Sequence, residues 1–244
     1  MDLNLKDKVV LVTGGADGIG YCVAQLLASE GSKVVIADIN AEKGKAASDE
    51  LNKEGGNTIA VKVDVQDEDS VKAMVKTTLD TFGRVDALIN NAGIGYFKTL
   101  EEESMDEWHR VLAINLTGVH LCSREVFPIM KKQKEGRIIS VASLGGQVGG
   151  MKVTPGYVAS KAGVAGLMKS YARNGGQYGI LANSVAPGPT ETNMARGRYS
   201  ADGTLIGRTA EPMDVAKVIF FLCTNLADYL TGVTIDINGG ALMR

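Results

Sequence analysis

Seven short apolar runs recur along the chain, at residues 8–12, 33–37, 58–63, 85–89, 136–143, 179–186 and 233–237. Most end on glycine, proline or a small polar residue. Runs rich in valine and isoleucine, without polar alternation, read as strands covered on both faces. Between them lie stretches with helical spacing, at about residues 21–29, 41–53, 68–81, 104–132, from 157 onward, and 212–224. Seven strands alternating with six helices, with no linker-like break and no internal repeat, predict one α/β domain over residues 1–244, built as a doubly wound parallel sheet. In such sheets ligands bind beyond the C-terminal strand ends. Gly14, Asp38, Asp64, Asn90, Ser143 and Pro187 all fall at those ends.

The first strand runs into Thr13-Gly14-Gly15-Ala16-Asp17-Gly18-Ile19-Gly20 and then a helix. In that setting a glycine-rich turn has physical meaning. Gly14 permits the tight turn, Gly18 lets backbone approach a pyrophosphate, and Gly20 lets the helix pack on the strand. The helix N-terminus then faces the phosphates. Asp38 closes the second strand, 24 residues beyond Gly14. It has two readings: a carboxylate for the adenine ribose, or the N-cap of the helix starting near Ala41. No arginine follows Asp38, and Asp17 adds a second negative charge, so a 2′-phosphate would be repelled. The expectation is NAD.

Tyr157 and Lys161 stand four apart in a helix of small residues, so they share a face. An ammonium below a phenol favours phenolate, and such a phenol can exchange a proton with an alcohol or carbonyl oxygen. The pair alone also arises by chance in a chain with seven tyrosines. Asn115 is a polar residue on the apolar stripe of the 104–132 helix, where pattern alone makes it a satisfied core amide.

Composition removes several classes. Net charge is −2 and no basic run occurs, so the footprint of a nucleic-acid binder is missing. No apolar stretch of about 18 residues could span a membrane, and residues 1–6 lack an apolar signal core. Cys22, Cys122 and Cys223 are far apart in apolar surroundings, which reads as buried free thiols in a reducing cytoplasm. His109 and His120 are the only histidines, too little for a zinc site or a histidine-based triad, and no metal is expected.

Thr13-Gly14-x-x-x-Gly18-x-Gly20, Asn90-Asn91-Ala92-Gly93, Asn115, Ser143, Tyr157-x-x-x-Lys161 and Pro187-Gly188 together resemble the short-chain dehydrogenase/reductase family along nearly the whole chain. The resemblance implies a Rossmann-type fold, a nicotinamide cofactor, and hydride transfer at a secondary alcohol or ketone. Tyr157 would be the general acid/base. Lys161 would lower its pKa and hold the nicotinamide ribose, Ser143 would bind the substrate oxygen, and Asn115 would hold a water in a proton relay. Asp64 with Val65 would contact adenine and Asn90 the adjoining ribose. Pro187, Gly188, Thr190 and Thr192 would line the carboxamide side, with Asp17, Ile19, Ile39, Ala92 and Gly93 completing the cofactor set. A homotetramer is implied, with a dimer as the alternative. Two other activities stay open: an NADPH-preferring reductase of the 3-oxoacyl-carrier type, and a nucleotide-sensing regulator without turnover. The substrate pocket should draw on residues 94–97, 144–151 and a mobile loop at 193–210, whose arginines read as solvated. The helix end Arg173-Asn174-Gly175-Gly176 and the pair Leu181-Ala182 depart from the family pattern.

Overall fold

The computed structural model describes residues 2–150 and 152–243. Its centre is a seven-stranded parallel sheet in the order β3-β2-β1-β4-β5-β6-β7. The strands are β1 (Val9–Thr13), β2 (Lys33–Asp38), β3 (Asn57–Lys62), β4 (Ala87–Asn90), β5 (Gly136–Val141), β6 (Ile180–Pro187) and β7 (Thr234–Ile237). The order reverses between β1 and β4, which pair with Thr13 opposite Asn90. At such a switch point a crevice opens beyond the strand ends.

Successive side chains of a strand point to opposite faces, and β1 shows the consequence. Val10 and Val12 belong to a core shared with Val23, Ala24 and Leu27 of α1 (Gly18–Ser29) and Val215 and Ile219 of α8 (Pro212–Cys223). Leu11 points the other way, into a core with Val71 and Met74 of α3 (Glu68–Phe82), Val126 of α5 (Gly118–Gln133), and Val164 and Met168 of α7 (Pro155–Gly175). Helices thus cover both faces, as the runs predict. Between β2 and β3 runs α2 (Ala41–Lys53).

The long helix expected at 104–132 is interrupted. It consists of α4 (Met105–Leu112), a π-helical turn (Ala113–Thr117) and α5. Ser104 caps α4, accepting from the Glu107 N–H at 3.2 Å while Glu107 reaches back to the Ser104 N–H at 3.0 Å. The apolar period carries no mark of the π turn. Its centre is Asn115, fully buried. A short helix, α6 (Gly145–Val148), also forms inside the glycine-rich stretch after β5.

Gly175 explains the glycine-rich end of α7. A Cβ there would lie 2.9 Å from Ile180 Cβ, so the helix end rests directly on β6. Of the cysteines, Cys122 and Cys223 are buried and Cys22 is half-buried; all three are free thiols.

Candidate active site

The glycine turn behaves as its spacing implies. Gly14 and Gly18 have φ of 62° and 55°. A Cβ on Gly20 would lie 2.2 Å from Gly14 O, so only glycine lets α1 fold back on the turn. A Cβ on Gly18 would meet only Thr192, at 3.8 Å, so a space remains between the turn and the chain after β6. Asn91 ties the turn to β4: its Nδ2 donates to Thr13 O at 3.1 Å and to Gly14 O at 2.9 Å. Asp17 caps α1, accepting from the Gly18 N–H at 2.6 Å, and also accepts from Asn193 Nδ2.

Asp38 does not cap α2. Asn40 does, accepting from the Lys43 N–H at 3.0 Å. The Asp38 carboxylate instead faces the glycine turn, accepting from Ala16 N–H at 3.2 Å and Asn40 N–H at 3.0 Å. Each carboxylate oxygen keeps a second acceptor site. The capping reading is therefore set aside.

Beyond the ends of β4, β5 and β6 lies a cavity of about 650 Å³. Gly14, Asp17, Gly18, Ile19, Ala92, Gly93, Ser143, Tyr157, Lys161, Pro187, Gly188, Thr190 and Thr192 all line it. Of the cofactor set, Gly20, Asp38, Ile39, Asp64, Val65 and Asn90 do not. Ile39 is exposed at the end of β2, and Val65 packs under Gly118 of α5. Asn90 is buried, with Nδ2 donating to Ser123 Oγ at 3.0 Å and Ser140 Oγ at 3.1 Å, so it braces the sheet against α5. Met151, expected in the pocket, lies outside the described residues. Val153, Lys152 and Ala241 join the lining from outside the expected segments. Ala241, at the end of the chain, gives no sequence signal at all.

Tyr157 and Lys161 lie on one face of α7, with Lys161 Nζ 5.8 Å from the phenol ring centroid. Lys161 is buried and donates to Val141 O at 2.7 Å. Loss of solvent lowers its pKa to about 8. The Tyr157 phenol is pushed up by burial, an effect opposed by a hydrogen bond with the Ser143 hydroxyl. Gly145 N–H donates to Ser143 Oγ at 3.1 Å and fixes that side chain. Gly95 fits against the phenol because a Cβ would come 3.0 Å from Tyr157 Cδ2.

Asn115 reaches the site through the segment after β4. Its Oδ1 accepts from Ile94 N–H at 2.9 Å, and Nδ2 donates to Ile94 O at 2.8 Å and Ser160 Oγ at 3.2 Å. It is a satisfied core amide, and both amide protons are committed. Only acceptor capacity on Oδ1 remains for a water.

Two hydroxyls and a buried ammonium on the cavity floor, under a glycine turn closed to a Cβ at Gly14 and Gly20 and open at Gly18, fit a dinucleotide lying across the switch point. The fold and this site define a Rossmann-type oxidoreductase. The short chain dehydrogenase family matches residues 8–203, and the chain belongs to that family. A 3-oxoacyl-[acyl-carrier-protein] reductase of Synechocystis sp. is 40% identical, with 98% of each chain covered. A reductase of the same name from Vibrio harveyi is 38% identical, covering 99% of this chain and all of its own. A trans-4-hydroxycyclohexanecarboxylate dehydrogenase of Sinomonas cyclohexanicum is also 38% identical, over 97% and 93% of the two chains. Among solved structures, gox2181 superposes with a TM-score of 0.94 at 33% identity, covering 98% and 97%. No described helix is long and apolar enough to cross a membrane.

Proposed function

We propose that this protein interconverts a ketone and a secondary alcohol, with NAD(H) as the redox partner. One observation carries the reading: the Ser143 and Tyr157 side chains flank Gly145 together in the cavity lining, one helical turn from Lys161; a Cβ on Gly145 would lie 3.5 Å from Ser143 Oγ and 3.9 Å from Tyr157 Cε1. Two adjacent hydroxyls can bind one carbonyl oxygen. A nicotinamide bound in the cleft supplies or accepts the hydride. Tyr157 gives its proton to the substrate oxygen as the carbonyl carbon gains the hydride, and takes it back in the alcohol direction. Lys161, charged below about pH 8, holds positive charge beside the phenol and would hold a ribose hydroxyl of the bound cofactor. Asn115 positions the Ile94 segment and Ser160 rather than moving the proton through its amide.

On cofactor, Asp38 supports NAD. A 2′-phosphate at the adenine ribose would sit within a few ångströms of its carboxylate. Like charges at about 4 Å repel by roughly 4 kcal/mol at an effective dielectric of 20. Asp17 adds negative charge in the turn, and the turn at 13–20 holds no basic residue. On substrate, the names of the relatives support a second reading, reduction of a 3-oxoacyl thioester on a carrier, which uses the same hydroxyl pair. One relative is named for dehydrogenation of a ring alcohol, so the first reading keeps support too. The intact Ser143, Tyr157 and Lys161 set argues against a sensor without turnover.

The test is a panel of ketones, secondary alcohols and 3-oxoacyl thioesters, each with NAD(H) and NADP(H). NAD(H) is expected to be favoured by at least about 10²-fold in kcat/KM, equivalent to about 2.7 kcal/mol. Equal use of both cofactors would overturn the assignment of Asp38. Absence of turnover across the panel would overturn the enzymatic reading.

A further inference from the structure

The loop arginines read as solvated in the sequence; Arg198 is exposed, and its guanidinium lies over a ring at the cavity rim. The Arg198 guanidinium carbon lies 5.3 Å from the centroid of the Phe97 ring, which lines the cavity. That distance is within cation–π range. Lys152, also in the lining, donates from Nζ to Arg198 O at 3.4 Å, so the two cations sit on one segment of the rim. Tyr199, next in sequence, meets Phe97 edge-on, with ring centroids 5.8 Å apart. Tyr199 and Tyr157 both line the cavity. An aromatic wall therefore runs from the reacting hydroxyl to the two cations.

The acids nearby are engaged elsewhere. Asp17 is the only carboxylate lining the cavity among the described residues; it lies in the glycine turn, bound by Gly18 and Asn193. Asp202, on the loop itself, accepts from Ser200 Oγ at 2.9 Å. Arg208 is spent on Asp214, at 2.6 Å. Apart from Lys161 on the floor, the substrate end of the cavity thus presents positive charge beside apolar surface.

Resting on the reading of the site as a ketone/alcohol oxidoreductase, we propose that the substrate carries an anionic group at the end away from its reacting carbon. Arg198 and Lys152 recognise that group, and an apolar body lies between along Phe97, Tyr199, Val148 and Val153. A carboxylate or phosphate suits such a pair, and charge-assisted hydrogen bonds to it are stronger than neutral ones. The anion has two chemical sources: the carboxylate of a small oxo acid, or the phosphate of a pantetheine arm bearing a thioester.

Two matched pairs separate them. The first is 5-oxohexanoate against its methyl ester; the second is the 3-oxobutanoyl thioester of phosphopantetheine against that of pantetheine. In at least one pair, wild type should favour the anion by 10-fold or more in kcat/KM. The preferred pair names the source. Lys152→Gln with Arg198→Gln should bring that ratio to near one, and Arg198→Lys should restore much of it, because charge is kept. A wild-type ratio near one in both pairs, or a ratio unchanged in the double variant, would overturn the inference while leaving ketone reduction intact. If no pair and no other ketone is turned over with either cofactor, the oxidoreductase reading falls, and this inference with it.

Discussion

Lys161 is an ionisable group held against its own solvation. Its pKa of about 8 in the folded chain lies below the ordinary 10.5, and desolvation is the cause. Between those two pH values the unfolded chain binds a proton that the folded chain does not, so stability rises with pH across that window. Below pH 8 the full cost of about 3 kcal/mol is present, at roughly 1.4 kcal/mol per pH unit. Wild type should therefore gain about 2.5 kcal/mol relative to Lys161→Met between pH 7 and pH 10, measured by urea unfolding. No relative change would show that the ammonium keeps its water. On the proposed reading the costly charge is retained because the phenol and a bound ribose would use it. Asp38 makes the complementary case on cofactor choice. Asp38→Ala with Ile39→Arg should narrow or reverse the NAD preference, since an arginine can hold a phosphate bidentately. The ratio of kcat/KM for the two cofactors reads this out, and an unchanged ratio would place cofactor choice elsewhere. Asp38 was legible as a strand-end carboxylate. Asn40 taking the cap was not, because either residue can begin a helix near Ala41.

At the scale of elements, the π turn between α4 and α5 places Asn115, and Asn115 places the segment after β4. Apolar periodicity runs through residues 104–132 without registering the extra residue that a π turn inserts. The helix was legible; its interruption was not. Asn115→Ala removes three hydrogen bonds and leaves the Ile94 N–H and C=O without partners. Each is worth about 1 kcal/mol net. A loss of about 3 kcal/mol is expected in urea unfolding, with KM raised because Gly95 and Phe97 of the same segment line the cavity. Wild-type stability would contradict the anchoring role. Gly175→Ala tests the close approach of α7 to β6: overpacking at 2.9 Å should cost about 1–3 kcal/mol. The glycine-rich end of α7, a departure from the family pattern, thereby acquires a packing reason.

For the whole molecule, sheet order and the crowding of strand-end residues into one crevice follow from the alternation of buried runs with helices. The catalytic floor was legible because its parts lie at strand ends or four apart on one helix. The rim was less so. Lys152, Val153 and Ala241 meet only through tertiary folding of segments far apart in sequence, and the engagement of Arg198 with Phe97 has no periodic signature. Assembly belongs to this scale as well. We propose a homotetramer built on α4, α5 and α7, and sedimentation showing only a 25.7 kDa species at micromolar protein would refute it. The central claim is that this chain manages one proton at a substrate oxygen through Tyr157. Its most direct test is Tyr157→Phe, which keeps the ring and removes the hydroxyl, assayed for kcat and for NADH affinity by fluorescence titration. The account predicts a fall in kcat of at least about 10²-fold with cofactor affinity within about threefold of wild type. Turnover near the wild-type rate would contradict it.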